Sequence, residues 1–169
     1  CSLKGVSLKC TKASGKQFIS LADEIEMLTK YLQLEGLRFE TDFSFSITVN
    51  DEEIADDIRL PPMLIQPYVE NAIRHGLLHR KGEKKLTVAF NFDAEKEMLN
   101  CVVEDNGVGR LASAEINKSR SKLNESFSTS ANARRLDLLN QNRDKHIGVF
   151  YEDLPQGTRV SILIPVSYD

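Results

Sequence analysis

Apolar and polar positions along the chain fall into two periods. Leu21, Ile25, Leu28 and Leu32 recur at spacings of four, three and four, which predicts an amphipathic helix from Ser20 to about Phe39. Ser20 with Asp23 three residues on supplies a capping pattern for its start. Phe43, Phe45, Ile47 and Val49 then alternate with Ser and Thr, the period of a half-buried strand. Met63 to Leu78 reads as a helix, with Pro67 in its first turn, where a missing N–H costs least. Leu86, Val88, Phe90 and Phe92 share one face of a second strand, and Leu99, Cys101 and Val103 one face of a third. The short Asp93–Glu97 connection predicts an antiparallel hairpin between them. Residues 106–130 are rich in Ser, Asn and Lys and read as irregular, before a short amphipathic helix over Ala131–Asn140 that carries Leu136 and Leu139. Ile147, Val149 and Tyr151 alternate, a Pro-Gln-Gly turn follows, and Val160, Ile162 and Ile164 alternate towards the end.

At least five strands mixed with three helices predict an α+β fold. The expected architecture is a two-layer α/β sandwich: a mixed, mainly antiparallel sheet of about five strands with about three helices on one face. Length fits this, since 169 residues can bury a core without disulfides or metals. Composition is ordinary for a globular domain, at 41% hydrophobic and 28% charged. The net charge of -3 argues against a dedicated nucleic-acid-binding domain, so no nucleic-acid partner is expected. No apolar run is long enough to span a bilayer. Cys1, Cys10 and Cys101 are odd in number and lack metal-like spacing, which predicts unpaired thiols in a reduced compartment. Residues 1–19, with Gly5, Gly15 and several lysines, read as a loose arm. The chain does not begin with Met and reads as a piece of a longer protein.

Three stretches carry candidate chemistry. In Glu70-Asn71-Ala72-Ile73-Arg74-His75-Gly76, a carboxylate, a carboxamide and a cation project from one helix face, a set able to bind hydrated Mg²⁺ and phosphates. A solvated helix face would have the same composition. In Val103-Glu104-Asp105-Asn106-Gly107-Val108-Gly109, a strand ends in Asp and runs into glycines. A hairpin turn is the simple reading of Asn-Gly. A carboxylate at a strand end, with glycines admitting backbone close to a ligand, also suits a purine amino group with phosphates nearby. Gly157-Thr158 entering the last strand is by itself a turn into a strand. Charge is uneven too: residues 51–57 hold five carboxylates, whereas Arg74–Lys85 hold five Lys/Arg and two His against one Glu. A basic stretch beside the Glu70–His75 helix suits a polyphosphate.

In their order and spacing these stretches resemble the GHKL ATPase superfamily, and within it the LytS-like sensor histidine kinases. Asn71 in its setting is similar to that family's N box, Asp105-Asn106-Gly107-Val108-Gly109 to its first glycine box, and Gly157-Thr158 to the Gly-Thr before its last strand. Leu60-Pro-Pro-Met-Leu-Ile-Gln-Pro-Tyr-Val resembles the lead-in to the N box. Leu21-x-x-Glu24, Tyr31-Leu32 and Leu37-Arg38-Phe39 resemble the linker helix behind the phosphoacceptor region. The resemblance implies a loose arm over 1–19, a linker helix from the dimerisation region over 20–40, and a histidine-kinase-like ATPase domain of the Bergerat type over 41–169. It implies ATP and Mg²⁺ as cofactors. Asp105 would bond the adenine amino group, with Thr158 assisting, and Asn71 would ligand Mg²⁺. Glu70 would position a metal-bound water or polarise the attacking imidazole, Arg74 and His75 would approach the phosphates, and Gly107 and Gly109 would let the chain turn beneath the nucleotide. The implied partners are upstream dimerisation and phosphoacceptor helices of the same protein, a response regulator of the LytTR type, and a second copy in a full-length homodimer. The implied setting is the cytoplasmic side of a bacterial inner membrane.

Two departures stand out. Ser128-Thr129-Ser130 occupies the place where a second glycine box is expected, which opens the alternative of a non-catalytic regulatory module with weakened nucleotide binding. Lys118, Arg120 and Lys122 are substitute phosphate contacts on the catalytic reading, and solvated loop charges otherwise. His75, His79 and His146 are the only histidines, and none has the phosphoacceptor context. A mismatch-repair or chaperone-type GHKL ATPase is a third reading, which the linker-helix and N-box details disfavour.

Overall fold

The computed structural model describes residues 18–39, 42–118, 125–141 and 143–166. A five-stranded sheet is built from β2 (Phe43–Val49), β4 (Lys84–Asp93), β5 (Met98–Asp105), β6 (Gly148–Asp153) and β7 (Thr158–Pro165), in the order β2-β4-β5-β7-β6. A two-residue ladder joins β1 (Ile19–Ser20) to β3 (Arg59–Leu60). The helices are α1 (Leu21–Gly36), α2 (Gln66–Asn71), α3 (Gly109–Lys118) and α4 (Glu125–Asn140). Most of the arm expected over 1–19 falls outside the described residues, while Ile19 is already paired in β1.

Strand alternation predicts the sheet well because one face is dry. Leu86, Val88 and Phe90 of β4, Leu99, Cys101 and Val103 of β5, and Val160, Ile162 and Ile164 of β7 are all buried. Leu21, Leu28 and Leu32 of α1 and Val69 of α2, with Ile73 and Leu77 beyond it, close the core from the helical layer. β4 and β5 form the expected antiparallel hairpin, turned by Lys96 N–H donating to Asp93 Oδ1 at 3.1 Å. β2 pairs parallel with β4, in register from Phe43↔Lys84 to Val49↔Phe90, and the long connection through α2 permits that direction. The Ser20 side chain caps α1 by accepting from Asp23 N–H at 3.0 Å, and the helix ends at Gly36, short of Phe39.

Three expectations are corrected. The helix expected over 63–78 starts at Gln66, because Met63 takes a left-handed backbone (φ 54°) that no α-helix accommodates. It is also not uniform: after Asn71 it widens into a π-turn over Ala72–Gly76 and tightens into a 3₁₀ turn over Leu77–His79. The stretch read as irregular over 106–130 contains α3, and the helix expected at 131–140 begins at Glu125. Neither helix advertises itself in sequence. In α3, Ser113 is the buried position among the described side chains, and in α4 Leu136 and Leu139 are half-buried against the core.

Candidate active site

The C-terminal end of β5 delivers Asp105 between Leu86 of β4 and Thr158 of β7. Asn106 fastens that end to the sheet. Its backbone N–H donates to Lys85 O, its Oδ1 accepts from Lys85 N–H at 2.8 Å, and its Nδ2 donates to Glu83 O at 3.2 Å. Two glycines then meet across the helix–sheet junction. A Cβ on Gly107 would stand 2.4 Å from Gly76 Cα, and one on Gly76 would stand 2.5 Å from Asp105 Oδ1. The π-turn brings Gly76 to this point, and its carbonyl accepts from Val108 N–H at 3.2 Å. Gly157, with φ +88°, closes the other side, where a Cβ would overlap the Asp105 carbonyl.

Together these elements border a half-open cavity of about 370 Å³, within the range of small-molecule sites. Asn71, His75, Asp105, Gly109 and Thr158 line it. Asp105 is only 5% exposed, and its Oδ1 accepts from Gly107 N–H at 2.8 Å. Burial pushes its carboxyl up to about 6, against the opposing pull of the Gly107 and Thr158 backbone N–H groups. A buried acceptor in a half-open, largely apolar pocket is suited to a neutral N–H donor on a flat ligand.

Three of the expected residues do not line the cavity. Glu70 is outside its lining and accepts from Gln66 Nε2 at 2.9 Å. Arg74 is exposed. Both charges act instead on Tyr31 of α1, whose hydroxyl is pushed up to about 12 by burial first, then by Glu35 and Glu70, with Arg74 and Arg38 opposing. Gly107 packs against Gly76 and the Asp105 carboxylate, outside the lining. In the basic stretch His75 lines the cavity, while Arg80 Nε donates to Glu83 O, Lys85 pairs with Glu83, and Lys84 lies over the Phe39 ring. Lys118 pairs with Glu115 at 2.8 Å, while Arg120 and Lys122 fall outside the described residues. Residues 128–130 lie within α4.

Tyr68, Arg110, Ser113 and Tyr151 also line the cavity, and sequence reasoning passed over them. Arg110 forms a bidentate pair with Asp153 (2.8 and 3.0 Å) and stacks on the Tyr151 ring at 5.2 Å. The signal available was Arg directly after Gly109, but only the unpredicted α3 turns it towards β6.

No family model matches the chain. Over 161 residues, 91% of this chain, it is 29% identical to the sensor protein LytS of Oceanobacillus iheyensis, of which it spans 26%. Over 90 residues, 53% of the chain, it is 34% identical to the sensor histidine kinase BtsS of Escherichia coli, of which the match spans 15%. The catalytic domain of the histidine kinase ThkA superposes with a TM-score of 0.61 at 10% identity, covering 90% of this chain and 98% of that one. The chain has the histidine kinase catalytic-domain fold, with LytS-like sequence. It spans about a quarter of the length of the LytS relative it matches. Among the described residues of this LytS-like domain, no helix is long and apolar enough to cross a membrane, and no three acidic, His or Cys side chains cluster as a metal site.

Proposed function

We propose that this LytS-like domain binds ATP with Mg²⁺ and directs its γ-phosphoryl to a histidine that lies upstream in the full-length protein, for relay to a response regulator of the LytTR type. The observation that carries this reading is the convergence of Asn71, His75, Asp105, Gly109 and Thr158 on one cavity of nucleotide-compatible size, from three separate parts of the chain. The fit is chemical as well as steric. Asp105 supplies a buried acceptor for an exocyclic amino group, and Thr158, paired with it across β5 and β7, supplies a hydroxyl beside it. Asn71 offers a neutral hard oxygen at the cavity wall. A single protein oxygen is enough for Mg²⁺, which keeps several waters and takes the rest of its shell from phosphates.

Bound Mg·ATP supplies the transferable phosphoryl group and the positive charge that offsets its oxygens. The residues of the domain orient and enclose it, which is most of what phosphoryl transfer requires. His75 sits at the cavity wall one helical turn beyond Asn71, placed to meet phosphate oxygens. Glu70 and Arg74 lie on the Tyr31 side of the helix, outside the cavity lining; the proposed work of Glu70 is on the incoming imidazole or a metal-bound water, and that of Arg74 is on the phosphates. In the whole protein we place this domain on the cytoplasmic side of the membrane, in a homodimer formed through the upstream helices, with residues 20–40 as the linker and 41–169 as the catalytic unit.

Calorimetric titration and thermal melts with ADP or ATP, with and without Mg²⁺, test the reading. Ligand at 100 times its dissociation constant adds about 2.7 kcal/mol of stability, and Asp105→Ala should abolish the effect. No stabilisation at millimolar nucleotide would exclude the nucleotide site.

A further inference from the structure

Among the described residues, the most deeply buried carboxylate outside the cavity is Glu24 of α1, 1% exposed. Its two oxygens accept from the backbone of the turn that precedes α2: Oε2 from Met63 N–H at 3.1 Å and Oε1 from Ile65 N–H at 3.3 Å. The same turn is held by a second charged side chain. Arg135 of α4 donates to Met63 O at 2.7 Å and to Pro62 O. Between them sits Met63 in its left-handed conformation, one that a non-glycine residue holds only when its surroundings impose it. Burial drives the Glu24 carboxyl up, while the Ile65 and Met63 N–H groups and the Arg135 charge draw it back down.

Each partner comes from a different part of the fold. Glu24 belongs to α1, the proposed linker helix, the turn opens directly into α2, which carries Asn71, and Arg135 belongs to α4. Tyr31, two turns after Glu24 on the same side of α1, lies within electrostatic reach of Glu70 and Arg74. A turn with no regular backbone pairing of its own is therefore fixed by one anion and one cation. Moving either would shift Ile65 and the first turn of α2, and with it the cavity wall formed by Tyr68, Asn71 and His75.

We propose that Glu24 and Arg135 are positioning residues of the nucleotide site, acting jointly through the backbone of residues 62–65, so that nucleotide affinity depends on the seating of the linker helix. This rests on the nucleotide reading above, and the test separates the two. Glu24→Gln keeps the shape of the side chain but leaves one of the two buried N–H groups without its acceptor. Arg135→Gln leaves Glu24 in place and frees the Pro62 and Met63 carbonyls. Ile164→Val is the control: it trims a fully buried methyl near the end of β7 away from Thr158 and outside the cavity lining.

Mg·ADP affinity is measured by calorimetry on the 169-residue chain, at a temperature where melting curves show every variant folded. The expected result is a loss of at least about fivefold in each single variant, with the double variant falling short of the product of the two by at least about threefold, the mark of one shared network. Ile164→Val should lower Tm and leave affinity unchanged. If Glu24→Gln does not fold, Arg135→Gln alone decides, read together with amide exchange across residues 63–76, which should quicken. Variants that lose only Tm while binding like wild type, or effects that simply multiply, would overturn the inference. Failure of the wild-type chain to bind would instead overturn the nucleotide reading on which it stands.

Discussion

At Asp105, burial and hydrogen bonding pull in opposite directions. Burial wins, and the carboxyl rises from 3.8 to about 6. Between those two values the folded chain holds a proton that the unfolded chain has released, so this group's contribution to stability falls as pH rises from about 4 to about 6. Urea titrations of wild type and Asp105→Asn across that interval should diverge in this direction, with the variant lacking the step; parallel curves would contradict the burial argument. Nucleotide binding should run the other way, strengthening as the carboxylate ionises. Gly157 poses a steric rather than an ionic demand. A Cβ there would collide with the Asp105 carbonyl while the backbone stays at φ +88°. Gly157→Ala should cost on the order of 2–4 kcal/mol in denaturant unfolding.

Among the elements, α1 shows local and tertiary signals side by side. Its cap is local: Ser20→Ala removes one acceptor and should cost about 1 kcal/mol, measurable as a lower urea midpoint. The Arg110–Asp153 pair joining α3 to β6 is half-exposed on both sides, so Arg110→Ala should change stability by less than about 1 kcal/mol despite its good geometry. What could be read in advance follows the same division. Strands β2, β4, β5 and β7 declare themselves because a single dry face imposes strict alternation. Ser20 and Asp23 mark a helix start, and the residues around Asn71 and Asp105 are recognisable as short motifs. The true start of α2 is not recognisable, because Glu24, some forty positions earlier, holds the turn at Met63. α3 and the first half of α4 are hidden for a different reason: α3 is a short helix of ten residues lying beyond a glycine turn, and α4 opens on a run of Ser, Thr and Asn with no apolar stripe. Arg110 and Tyr151 went unnoticed as cavity residues because their meeting depends on that hidden α3.

For the whole molecule, period-two alternation says which residues face inward but not which way a strand runs. The parallel pairing of β2 with β4, and the placing of β7 between β5 and β6, are set by connections and by packing on the helices. That arrangement leaves Cys101 on the central strand β5, flanked by β4 and β7 and wholly inaccessible to solvent. Burial, reinforced by the charge of Glu24, also drives its thiol well above the ordinary range, so the reactive thiolate is scarce in the folded state. Alkylation of this sulfur must wait for the sheet to come apart. Cys101 is thus a native clock for unfolding. Its labelling rate, followed by peptide mapping, reports how often the core opens, and a bound nucleotide should slow that clock by the factor 1 + [L]/Kd.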